Sequence, residues 1–320
     1  MKRFMKGCAI TALVLIVLGF ILGAIGGNIR GRTAIQDVVE AITGGRVKLQ
    51  LGPENWNAVG EAIMDQLAEE GYYDINDAVL FEDRYEIMEG DISRYTLEGN
   101  IGSLNVEIGG CTLYLEESKD SVFSLEAENT RKLQAYVENG TLYIKALRNG
   151  QIWNEPGSCK ITLYVPEVYL FEKADIAVGA GAIEMENLNA ADVYLEVGAG
   201  SVEAGRLQAD SLDVNVGAGE VSIYEMQVRR LAGEVGVGYG YLKGDVTENA
   251  DISCAMGSVD LFLGGTQPDY NYAVECGMGS VEIGSESYSG LAREQYVNNQ
   301  APRNINVDCA MGSVSIYFDR

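Results

Sequence analysis

The chain repeats itself at a fixed step. Val178-Gly-Ala-Gly181, Val197-Gly-Ala-Gly200 and Val216-Gly-Ala-Gly219 recur every 19 residues. Weaker copies follow at Val237-Gly-Tyr-Gly240, Cys254-Ala-Met-Gly257, Cys276-Gly-Met-Gly279 and Cys309-Ala-Met-Gly312. A unit this short cannot bury an apolar face alone, whereas stacked copies bury a continuous core. The predicted fold class is therefore all-β, a β-solenoid or β-helix-like stack of short, glycine-cornered strands. Overlaying the units aligns Ile176, Leu195 and Val214; Val178, Val197 and Val216; Ala180, Ala199 and Ala218; Ile183, Val202 and Val221; and Leu188, Leu207 and Met226. Every set is apolar, so all five are expected to point inward, with successive coils about 4.8 Å apart. The glycines beside Ala199 mark a corner that either leaves no room for a Cβ or needs a positive φ.

Upstream, from about Tyr85, runs such as Ser103–Ile108, Thr112–Leu115, Leu133–Val137, Thr141–Ile144 and Ile161–Val165 alternate apolar and polar residues with the period of a strand. Asn139-Gly140 between two of them is a hairpin signal. Pro166 closes this section, and the regular repeat begins near Asp175.

The start of the chain has a different character. Cys8 to Gly27 carries no charge, and 20 residues at about 1.5 Å each span a hydrocarbon core of about 30 Å. Lys2, Arg3 and Lys6 precede it, which favours a cytoplasmic N-terminus and an exported remainder. A cleaved signal peptide is the alternative, but the apolar run exceeds the usual length and Leu22-Gly-Ala24 is a poor cleavage site. Beyond Pro53, Trp56, Val59, Ile63 and Leu67 share one helical face until Gly71. The expected layout is a cytoplasmic N-terminus (1–7), a transmembrane helix (8–27), a spacer with a short amphipathic helix (28–84) and an extracytoplasmic repeat domain (85–320). The expected location is the cell membrane, crossed once, with the bulk of the chain outside.

Composition removes several function classes. The formal charge is -24, and all 47 acidic residues lie at or beyond Asp37, where 18 basic residues remain. Such a domain repels phosphate backbones, so no nucleic-acid partner is expected. Histidine is absent, which removes the commonest general base and the usual zinc sites. No Ser-x-x-Lys pair occurs, and Gly198-Ala-Gly200-Ser-Val-Glu203 lacks the third glycine and the helix of a dinucleotide fingerprint. Calcium-binding nonapeptides are also absent.

Two patterns remain. Cys254, Cys276 and Cys309 replace inward valines, and Met256, Met278 and Met311 replace the aligned alanines. Six sulfurs on one inward stripe read first as core packing and second as a soft-metal site. With Cys111 and Cys159, the exported cysteines number five, which argues against a full disulfide framework. Glu184, Glu203, Ser222, Lys243, Asp260, Glu282 and Ser315 are expected to form one outward row. Its mixed signs suit a solvated face, while Glu203 and Asp260 are the carboxylates a polysaccharide-active enzyme would use. No catalytic, cofactor-binding or metal-binding residue and no cofactor are assigned.

Ile161-Thr-Leu-Tyr-Val-Pro166 followed by iterated Val-Gly-Ala-Gly-x-Val units resembles the bacterial "putative adhesin" family of β-strand-repeat domains, also called Toastrack, over roughly Tyr85 to Arg320. The resemblance implies the solenoid fold and no catalytic residues. It also implies membrane-tethered members in Gram-positive bacteria, some accompanying Lia-type or phage-shock-type envelope-stress systems. The expected function is a non-enzymatic scaffold or sensor accessory of the cell envelope. Its partners would be the membrane, through the N-terminal helix, and an envelope protein, wall polymer or cationic peptide. The alternative is an adhesin for external ligands, limited by reach, since seven or so coils span only about 35 Å. The final coil, ending Tyr317-Phe-Asp-Arg320, is expected to leave an open edge.

Overall fold

A computed structural model describes residues 87–97, 99–146, 159–289 and 293–319. The expected anchor at 8–27 and the spacer with its helix at 28–84 lie outside the described residues. The described chain is all-β. In order it forms β1 (Ile87–Leu97), β2 (Ser103–Ile108), β3 (Thr112–Ser118), β4 (Phe123–Glu138), β5 (Thr141–Ala146), β6 (Lys160–Pro166), β7 (Phe171–Val178), β8 (Ala182–Val197) and β9 (Ser201–Val216). Then come β10 (Glu220–Val235), β11 (Tyr239–Cys254), β12 (Ser258–Gly264), β13 (Tyr270–Cys276), β14 (Ser280–Ile283), β15 (Glu286–Ser289), β16 (Arg293–Val297), β17 (Arg303–Cys309) and β18 (Ser313–Asp319). A single 3-10 turn, Gln267–Asp269, interrupts the strands.

The repeat is the middle of the stack. β8, β9 and β10 pair in parallel in unbroken 19-residue register: Ile183 faces Val202 and Val202 faces Val221, Leu188 faces Leu207 and Leu207 faces Met226, Val197 faces Val216 and Val216 faces Val235. These side chains are all buried, as are Ile176, Leu195 and Val214. Each contributes roughly 1.5–3 kcal/mol of apolar burial.

The alanines do otherwise. Ala180, Ala199 and Ala218 are exposed, not inward. The chain turns at each corner, so the two-residue alternation of the strand does not carry through it. The flanking glycines carry the close approach instead. A Cβ on Gly219 would sit well inside 3.0 Å of the Gly200 carbonyl oxygen, and one on Gly200 would meet the Gly181 oxygen in the same way. Neither has a positive φ, so it is space and not backbone hand that demands glycine.

Asn139 (φ 49°) and Gly140 (φ 78°) turn the hairpin between β4 and β5, with Glu138 opposite Thr141, as the sequence predicts.

Both ends of the stack depart from chain order. At the N-terminal end, β2 and β3 are inserted between β7–β8 and the outer pair β5–β6. β4 then runs antiparallel to both β5 and β6, and β1 runs antiparallel to β4. At the C-terminal end, β17 lies between β11 and β13, and β18 lies between β12 and β14. The final coil is therefore interior and not the open edge expected from its position in the chain. The outer coil is covered by short antiparallel strands, β16 on β13 and β15 on β14. Short strands carrying exposed Glu286 and Glu294 make poor templates for further pairing. One face reads β4, β5, β2, β7, β8, β9, β10, β11, β17, β13, β16, which is ten steps or about 48 Å. That exceeds the 35 Å expected from the repeat alone.

Glu286 fastens this end. Its carboxylate accepts hydrogen bonds from Tyr272 (2.8 Å) and Tyr288, and these bonds hold its pKa below the ordinary glutamate value. A depressed carboxylate stabilises the fold above its unfolded pKa, and that stabilisation is lost as pH falls through the folded value. Acid titration should therefore loosen β13–β15 below about pH 4.5. In Glu286→Gln this acid-dependent step should be absent, read from hydrogen exchange of these strands against pH.

Candidate functional site

The three short runs of each coil present different surfaces. On the first, the outward row is Glu184, Glu203, Ser222, Tyr241, Asp260, Ser315, Glu282, in spatial order. Six of the seven expected positions share the row, although Ser222 is buried within it, and Tyr241 stands where Lys243 was expected. Lys243 instead faces Phe262, whose other neighbour is Tyr317. The later register slip is local: between Leu242, opposite Ile223, and Gly244 (φ 151°), opposite Met226, β11 uses one residue, Lys243, where β10 spends two, Tyr224 and Glu225.

Aromatic rings line this surface. Tyr224 and Tyr241 lie 5.7 Å apart, Tyr241 and Phe262 5.3 Å, and Phe262 and Tyr317 4.6 Å between centroids. Carboxylates border them. Glu203 raises the pKa of Tyr224, and Asp260 accepts the Tyr239 hydroxyl at 2.7 Å, where burial and then that bond push Tyr239 up. Glu203 and Asp260 stand three ladder steps apart, about 14 Å. Paired carboxylates of glycoside hydrolysis stand about 5–9.5 Å apart. These two cannot serve as one acid–base pair, and Asp260 is already engaged by tyrosine.

The opposite run forms a shallow open groove of about 620 Å³. Asn105, Asp175, Tyr194 and Asp213 are consecutive across its floor. Lys173 pairs with Asp175 at 2.7 Å, and Lys145 with Glu107 at 2.8 Å. Tyr194 donates to Glu196 at 3.3 Å; burial first, then this carboxylate, push its pKa up to about 12. Asn105 Oδ1 is buried without a partner. The Lys173–Asp175 and Tyr194–Glu196 pairs each lie two residues apart on one strand, and the Lys145–Glu107 pair bridges neighbouring strands. They do not converge on a point where a reacting atom could sit.

The third run carries rungs between coils. Arg206 bonds Glu225 at 2.8 Å, Arg229 bonds Glu248 at 2.6 Å, and Gln208 bonds Gln227 at 3.1 Å, each 19 residues on. All are solvated, so each adds little to stability.

The sulfur residues divide. Cys254, Cys309 and Cys276 form consecutive rungs in that order, all buried and free. Met311 and Met278 are exposed, at 48% and 65%, and Met256 is half-buried. The expected single inward stripe of six is therefore three thiols inside and three thioethers on the outer corner, for the reason already given for the alanines. Burial raises the Cys276 pKa, and the hydrogen bond between Cys254 and Cys309 lowers the first and raises the second. Because valines occupy the same rungs in earlier coils, Cys309→Val should cost less than about 1.5 kcal/mol in denaturant unfolding. Cys111 and Cys159 form a disulfide joining the corners before β3 and β6. Among the described residues no group of three or more Cys, Asp or Glu side chains is arranged to hold a metal ion.

Residues 101–233 match the family model described as Toastrack DUF4097. Among solved structures, the chain is similar to a "putative cell adhesion protein" from Clostridium sporogenes ATCC 15579, at 15% identity over 72% of this chain and 99% of that one, with a TM-score of 0.35. It is also similar to a "putative adhesin" from Bacteroides fragilis NCTC 9343, at 13% identity over 70% and 95%, with a TM-score of 0.40. A "putative lipid binding protein" from Parabacteroides distasonis ATCC 8503 shares 15% identity over 72% and 98%, with a TM-score of 0.38. No curated protein matches the chain.

Proposed function

We propose, from the premise that this chain carries a Toastrack domain over residues 101–233, that it is a non-enzymatic scaffold or sensor accessory of the cell envelope. In this reading the segment 8–27 anchors it in the membrane and the β-stack stands outside. The observation that carries the reading is the surface itself. Polar side chains engage one another from coil to coil, as Arg206 does Glu225 and Tyr239 does Asp260, or along one strand, as Lys173 does Asp175, and among the described residues no set converges on a reaction centre. A long, regular, acidic face suits an extended partner such as an envelope protein, a wall polymer or a cationic peptide.

The test is deletion of the gene in its native host, followed by growth against wall-targeting antibiotics and cationic peptides. Altered susceptibility, restored by the anchored protein and not by a form lacking residues 1–27, supports an envelope role at the membrane. Unchanged susceptibility with reduced attachment of whole cells to surfaces would favour the second reading, an adhesin. The roughly 48 Å stack gives that reading more reach than the repeat alone.

A further inference from the structure

The corner column that begins with alanine ends with methionine. Ala180, Ala199 and Ala218 show that this exposed position needs no long apolar side chain for the fold. Yet three coils place methionine there, and the insertion of the final coil out of chain order puts Met311 in the middle of the three. The Met311 amide donates to the Ala255 carbonyl at 2.7 Å, and the Met278 amide to the Ala310 carbonyl at 2.7 Å. The spatial order is therefore Met256, Met311, Met278, at the corners of adjacent coils about 4.8 Å apart. Each is flanked only by alanine or glycine, so nothing beside it in the chain crowds the thioether.

We propose that Met256, Met311 and Met278 form a thioether site for a soft monovalent metal ion, Cu(I) or Ag(I), on the outer corner of the stack. A methionine side chain has enough rotatable bonds to swing its sulfur across one strand spacing, so the outer two can close on an ion held at Met311. Thioether sulfur selects soft cations over Mg²⁺ and Ca²⁺. The chain has no histidine to compete for the ion. Asp308 and Glu275, exposed and opposite one another, stand three residues before Met311 and Met278 and add negative potential where the ion would arrive. The buried Cys254–Cys309–Cys276 column faces inward and is a separate set.

The full chain should be titrated with Ag(I), and with Cu(I) against a chromophoric Cu(I) chelator, in three forms. Each carries Cys8→Ser, and the three are the otherwise native protein, Met256→Leu/Met278→Leu/Met311→Leu, and Cys254→Val/Cys276→Val/Cys309→Val. Native protein and the valine form should each bind one ion with equal affinity, and the leucine form should bind it at least about tenfold more weakly. Leucine keeps the apolar volume, so that loss reports the sulfur. Met278→Leu alone, a change at the most exposed of the three, should weaken binding part of the way. The proposal is overturned if native protein binds no ion, if the leucine form binds as tightly as native, or if the valine form loses the ion, which would place binding at the thiols.

Discussion

Gly219→Ala should unfold much of the repeat, while Ala218→Glu, one residue away, should leave its stability almost unchanged. The added methyl at 219 would meet the backbone oxygen of Gly200, which the parallel register holds in place on the next coil. Relief requires the two coils to part at that corner, breaking bonds such as Gly219 N–H to Gly198 (3.0 Å) and Glu220 N–H to Gly200 (3.0 Å). The expected loss is about 3 kcal/mol or more, the scale of overpacking against a rigid neighbour. Ala218 is exposed, so glutamate there should change stability by less than about 0.5 kcal/mol. Urea denaturation of the pair decides it. If Ala218→Glu proved the damaging change, alanine would be inside and the corner geometry wrong.

Removing the Cys111–Cys159 bridge should have the next largest effect. It closes a segment of 48 residues, for which chain-entropy arguments give about 4 kcal/mol. It also ties the inner coil of β3 to the outer coil of β6, so its loss should release the N-terminal end first. Cys111→Ala/Cys159→Ala and the reduced native protein should show the same lowered midpoint. Cys254, Cys276 and Cys309 are already free thiols, so reductant acts on this bridge alone among the described cysteines. Equal midpoints with and without reductant would contradict the bridge.

These two regions also mark what a sequence can and cannot disclose. The valine ladder, the strands from Ser103 to Pro166 and the Asn139-Gly140 turn were legible because each depends on near neighbours along the chain. The inward placement of Ala199 failed because a two-residue period was carried through a corner, and the same extrapolation put Met278 beside Cys276. Lys243 was misplaced because the fourth corner was read at Val237–Gly240, whereas the structure turns at Val235–Gly238, two residues earlier, and keeps the 19-residue step that puts Tyr241 opposite Ser222. The insertion of β17–β18 was hidden for a different reason, since pairing across strands depends on the fold. A hint was present: the three Cys-x-Met-Gly units stand 22 and 33 residues apart instead of 19. That break in step coincides with β15 and β16, the strands that leave the stack order. No site of chemistry was assigned from the sequence.

The arrangement of the C-terminal end matters most, since it places Met311 between Met256 and Met278 and makes β15 and β16 the closing strands of the stack. Hydrogen exchange of the full chain, followed by mass spectrometry, tests it most directly. With β17 between β11 and β13 and β18 between β12 and β14, peptides covering 303–319 should be protected as strongly as the repeat. Peptides covering 286–297, which lie at the edge, should exchange first. Rapid exchange at 303–319 with strong protection at 286–297 would show that the coils stack in chain order, and would contradict it.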